Sequence, residues 1–99
     1  MSTNRAQSVL AAPEIIAVEY GQTGEIKVRV KGDPNRRAIQ GRIKNAAGGE
    51  FGPLITFKSS KEIIFDSLTS GVTYVMQLIG LGGSTGLSDW SEPVSKIAL

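Results

Sequence analysis

Neither cysteine nor histidine occurs in this sequence. Without a thiol there is no disulfide framework, thiol nucleophile or haem-attachment motif, and without imidazole there is no Ser-His-Asp triad and no ordinary zinc site. Aromatic residues are few, at 6%, and no apolar run reaches the roughly 18 residues that mark a membrane-spanning helix. Charge of one sign is scarce too. The 11 basic and 9 acidic side chains leave a net +2, and phosphate recognition needs clustered cations rather than a small total excess. Nucleic acid is therefore disfavoured as a partner, membrane insertion is not expected, and no cofactor or metal is implied.

What remains is 99 residues with 40% hydrophobic content, 12 Gly and 4 Pro. A chain of this size buries about two-thirds of its extended surface, enough for one core without staples. Period-two alternation runs through most of it. Residues 1–11 are small and polar and read as a flexible lead. A strand follows Pro13, with Ile16, Val18 and Tyr20 on one face, and the turn Gly21-Gln22-Thr23-Gly24 closes it. In the next run Ile26, Val28 and Val30 alternate with Lys27, Arg29 and Lys31, so its outer face is wet. A third strand places Ile39, Gly41 and Ile43 opposite Gln40, Arg42 and Lys44. Shorter strands are expected at about 53–58 and 62–65, a longer one at 72–80 with Tyr74, Met76 and Leu78 sharing a face, and a last one at about 93–98 after a Gly-rich loop. Seven short strands separated by turns predict an all-β, seven-stranded antiparallel sandwich of the immunoglobulin-like type.

Three segments, APEIIAV (12–18), LTSGVTY (68–74) and GLSDWSEPV (86–94), together resemble a fibronectin type III domain of a bacterial-style single module. The resemblance covers residues 12–99. It implies that Leu68 and Tyr74 form a tyrosine corner, in which the phenol hydrogen-bonds the backbone of the preceding loop. It also implies that Trp90 and Pro93 mark the entry to the last strand, strand G. The family's usual core Trp on strand B has Val30 in its place, and the strand C aromatic falls at Ile39 or Gly41. The core is thus expected to be aliphatic.

Candidate chemistry is sparse. The loop Gly80–Gly86 invites a phosphate-cradle reading, but no Gly-Lys-Ser/Thr follows it and the next element is a strand. Ser60 and Lys61 are adjacent, so on a strand their side chains diverge. The nine acids form no recognisable pair for hydrolysis. No enzymatic role is expected. Trp90 is read as packing across the sandwich edge to close the bottom of the core, and its alternative is a ligand platform. In the family's strand order, one end of the sandwich gathers Lys31, Arg36, Arg37, Lys58 and Lys61 against Asp33, in loops expected to be exposed. The other end gathers Glu19, Glu25, Glu50 and Asp66 against Lys44. A non-catalytic interaction or spacer module within a larger protein or assembly is the leading expectation, monomeric or weakly self-associating. Its partner would be another protein or a neighbouring module, met at the basic end, or failing that on the face of strands C and F around Arg42 and Gln77. The alternative is a binding module for carbohydrate or another acidic polymer.

Overall fold

A computed structural model of the chain describes residues 10–57, 61–83 and 86–99. Among these residues all regular structure is β: β1 (Ile15–Tyr20), β2 (Ile26–Val30), β3 (Ala38–Asn45), β4 (Ile55–Phe57), β5 (Glu62–Phe65), β6 (Thr73–Gly82), β7 (Gly86–Trp90) and β8 (Val94–Ile97). A three-stranded sheet has the order β1-β2-β5, and a five-stranded sheet runs β4-β3-β6-β7 with β8 also paired to β6. Every pairing is antiparallel. The inward rows of the two sheets meet in one core of Ile26, Val28, Val30, Ile39, Ile63, Phe65, Met76, Leu78 and Ala98. The all-β sandwich read from the alternation is the observed architecture.

Three details depart from that reading. The single last strand is two, because β7 and β8 both pair with the long β6 and are separated by Ser91–Pro93. Two buried serines explain why residues 86–90 are a strand despite a weak apolar alternation. The Ser88 hydroxyl accepts the Gly80 amide at 2.7 Å and the Ser91 hydroxyl accepts the Leu78 amide at 2.9 Å. Hydroxyls thus stand in for ladder carbonyls where the register shifts, meeting the Leu78 and Gly80 amides there. In β1 a bulge lies between Ile15 and Ala17. One extra residue reverses the alternation locally, so Ile15 and Val18 pack on the core while Ile16 is 60% exposed. Finally Leu10, assigned by sequence to the flexible lead, is buried.

Two inward-facing glycines shape the interior. A Cβ on Gly41 would stand 2.9 Å from both Leu78 Cδ2 and Phe57 Cε2 and 3.0 Å from Phe65 Cζ. Phe57 and Phe65 meet edge to face, with centroids 5.3 Å apart, one from each sheet. These rings lie over Gly41, and apart from Phe65 and Met76 the buried core is aliphatic. At Gly80 a Cβ would stand 3.0 Å from Arg36 Cδ and 3.2 Å from Leu10 Cδ2. That hollow takes in a side chain expected to face solvent.

Candidate functional site

The loop joining β2 to β3 turns at Asp33–Arg36, where the Arg36 amide donates to the Asp33 carbonyl at 3.1 Å and the Asn35 amide to Asp33 Oδ1 at 2.8 Å. This turn sends the two arginines in opposite directions. Arg36 is 7% exposed, its stem lies against Gly80, and its Nη2 donates to the Lys31 carbonyl at 2.8 Å. Burial lowers the pKa of its guanidinium, and the negative charge of Asp33 opposes that shift. A guanidinium keeps its proton in proteins, so the side chain stays charged at working pH and its desolvation is carried throughout that range. Arg36 is accordingly a structural cation of the sandwich end, correcting its expected place in an exposed loop. Arg37 is exposed and lies over Gly83, while its amide donates to the Leu81 carbonyl at 2.7 Å.

Lys31 and Lys61 are exposed at the same end. The carbonyl of Lys61 accepts the Val30 amide, and the Lys61 stem lies close to Gly32. Lys58 falls outside the described residues. A shallow depression of about 170 Å³ beside these groups is lined by Ala11, Ala12, Glu14, Lys31, Gly32, Asp33 and Arg36. The opposite end carries Glu25, Glu50 and Asp66 in its turns. The tertiary structure therefore brings Lys31, Arg37 and Lys61 to one end and turns Arg36 inward.

A second cationic feature lies on the outer face of the five-stranded sheet. Register places Arg42 beside Gln77 and Ile79 beside Trp90, with Ile79 buried. The Arg42 guanidinium carbon is 3.9 Å from the centroid of Trp90 and 4.2 Å from that of Phe51. Its Nε and Nη2 donate to Gln77 Oε1 at 3.2 and 2.7 Å, and Gln77 Nε2 donates in turn to the Ser91 carbonyl at 3.0 Å. Phe51 reaches this face because the Gly52 amide donates to the Ile43 carbonyl, folding the loop after β3 back onto the strand. Lys44 Nζ is 5.2 Å from the Phe51 centroid. Trp90 thus stacks with Arg42 outside the sandwich and does not close the bottom of the core. Sequence reasoning named Arg42 and Gln77 as exposed but had no signal that Phe51 would join them.

The tyrosine corner is present. The Thr69 amide donates to the Tyr74 hydroxyl at 3.0 Å, and Leu68 packs against the core beside Tyr74. Pro93 is exposed between β7 and β8. Among the described residues no group of three or more His, Cys, Asp or Glu could hold a metal ion, and no helix is long and apolar enough to cross a membrane.

Comparison with solved structures gives the same architecture. A myokine structure superposes with a TM-score of 0.72 at 16% identity, the match covering 89% of this chain and 96% of that one. The FN1–FN3 domains of chicken CNTN1 give 0.69 at 15% identity over 88% of this chain and 31% of theirs. The fold is that of a fibronectin type III domain. The twitchin kinase region from C. elegans (Fn31-NL-kin-CRD-Ig26) gives 0.74 at 18% identity, covering 91% of this chain but only 17% of the twitchin chain. No family model matches the sequence, and no curated protein matches it. At these identities the likeness establishes the fold, and function has to be argued from surfaces.

Proposed function

We propose that this fibronectin type III domain is a non-catalytic interaction and spacer module of a larger protein, and that it meets an acidic partner, or the acidic end of a neighbouring module, through Lys31, Arg37 and Lys61. The observation that carries this reading is the polarity of the sandwich. Lys31, Arg37 and Lys61 are exposed at one end, with Glu14 and Asp33 beside Lys31, and the turns of the other carry Glu25, Glu50 and Asp66. A dipolar module orients itself during encounter and favours head-to-tail approach. Two of the similar structures belong to chains of which this module spans 31% and 17%, which supports a place within a longer polypeptide. A sequence without His or Cys supports the absence of catalysis, because the usual general base and thiol nucleophile are missing. The carbohydrate alternative loses support from Trp90, since Arg42 already covers a face of its indole.

The test is the double variant Lys31→Glu, Arg37→Glu, which changes the charge of this end by four units. Both positions are exposed, so each should alter stability by no more than about 0.5 kcal/mol. Association with an acidic partner recovered from the native host, or head-to-tail self-association, should slow several-fold at low salt and much less at high salt. An unchanged association rate at low salt overturns the basic end as the contact.

A further inference from the structure

Arg42 is held in a way that a merely solvated arginine is not. Its planar group lies against Phe51 and Trp90 at 4.2 and 3.9 Å, and one edge is fixed by two hydrogen bonds to Gln77. Arginine has five N–H donors, and this arrangement leaves the edge away from Gln77 for another acceptor. Among the described residues no carboxylate lies within ion-pair distance of Arg42 or of Lys44, two positions along on the same face. The neighbours of Arg42 along β3 and directly across on β6 are Gln40, Lys44 and Gln77, and Glu50 and Asp89, next in sequence to its two ring partners, form no ion pair with it. A positive, pre-oriented fork with no carboxylate in ion-pair contact fits an incoming carboxylate, which it grips bidentately. Much of the entropy of ordering that side chain is already lost in the folded domain, so less is lost on binding.

We propose that the outer face of the five-stranded sheet is a docking surface for an extended protein segment that presents a carboxylate to the pre-stacked Arg42. Lys44 supplies the second positive charge, and Phe51 and Trp90 supply apolar edges for the residues flanking that carboxylate. A protein segment fits better than nucleic acid. Nucleic-acid affinity grows with the number of phosphates neutralised, and among the described residues this face offers two cations. Its rings are already in contact with Arg42, whereas single-stranded nucleic acid needs them open for base stacking. This surface is separate from the end bearing Lys31 and Arg37, so the two readings fail independently.

Trp90 is the only tryptophan of the chain, so its emission and its indole N–H resonance report on this face alone. The probe is a capped peptide alternating glutamate and leucine, with the glutamine-leucine peptide as control. The glutamate peptide should give a saturable change, and the control should bind about tenfold more weakly or worse, as expected when a charge-assisted bidentate contact is lost. Arg42→Gln should weaken glutamate-peptide binding by a similar factor. Arg29→Gln, on the opposite sheet, should leave it unchanged, as should Lys31→Glu with Arg37→Glu. If Arg42→Gln fails to fold by circular dichroism, Lys44→Gln serves instead, with an expected loss of about two- to fivefold for a single rim charge. Equal binding of both peptides, or no binding at millimolar concentration, overturns the proposal. Tighter binding of heparin or single-stranded DNA than of the glutamate peptide assigns the face to polyanions and likewise overturns it. Loss of peptide binding in the Lys31, Arg37 variant moves the contact to the sandwich end, overturning the sheet-face site while sparing the reading of the module.

Discussion

Arg29 and Arg42 occupy matching positions, each pointing outward from a central strand of its sheet, yet the two faces hold them in opposite ways. On the three-stranded sheet Arg29 is flanked by acids from both neighbours, with Nε 3.3 Å from Glu19 and Nη2 2.8 Å from Glu62. All three side chains are about half exposed, so this arrangement neutralises the face and adds little stability. On the five-stranded sheet Arg42 has rings and an amide where Arg29 has carboxylates. One face is electrostatically closed and the other keeps its charge. An arginine on an alternating strand therefore carries no fixed meaning, since cross-strand neighbours decide whether it is neutralised or presented.

The largest effect should come from beneath the Arg42 face. Gly41→Ala places a methyl group against Leu78, Phe57 and Phe65, and overpacking of this kind costs about 1 to 3 kcal/mol. Urea denaturation followed by Trp90 emission measures it. A cost of a few tenths would mean that the Phe57–Phe65 pair yields and that the support of this face is soft. Next, the two arginines can be set against each other directly. Arg42→Ala should destabilise by about 1 to 2 kcal/mol through lost ring contacts and the Gln77 hydrogen bonds, and Arg29→Ala by no more than about 1 kcal/mol. The second effect should fade in about 1 M salt, where the screening length is about 3 Å, while the first should persist because ring contact is short-ranged. Equal costs with equal salt dependence would dissolve the distinction. The smallest effect belongs to the corner joining the two sheets. Tyr74→Phe removes only the acceptor of the Thr69 amide, and because Thr69 is exposed water replaces part of it, leaving a cost of about 0.5 to 1 kcal/mol. Thermal unfolding reads this, and no change in midpoint would deny the hydrogen bond a part in stability.

Alternation, turn residues and the Leu68–Tyr74 spacing made the sandwich and its corner legible, because strand period and turn chemistry are local properties. Ile26, Val28 and Val30 face the core as their spacing requires. The candidate site was legible only in outline. Lys31, Arg37 and Lys61 are exposed at one end, as loops following apolar strands should be, whereas Arg36 is not. Its inward turn depends on Gly80, 44 positions away, whose missing side chain opens the hollow that the Arg36 stem enters. An inward glycine signals in sequence that something must fill the space, without naming the filler.

The sequence by itself determined the class of fold, the rows of residues facing core and solvent in β2 and β3, and the exclusion of thiol and imidazole chemistry, since each follows from residue type and local period. Only the tertiary structure decided that Ile16 faces outward, that Phe57 and Phe65 fill the space over Gly41, that Trp90 stacks on Arg42 outside the core, and that Arg29 meets carboxylates while Arg42 does not. These outcomes depend on register, bulges and loop return, which set neighbours across strands. A period of two assigns a side chain to a face, and contact between distant segments then decides what it touches there.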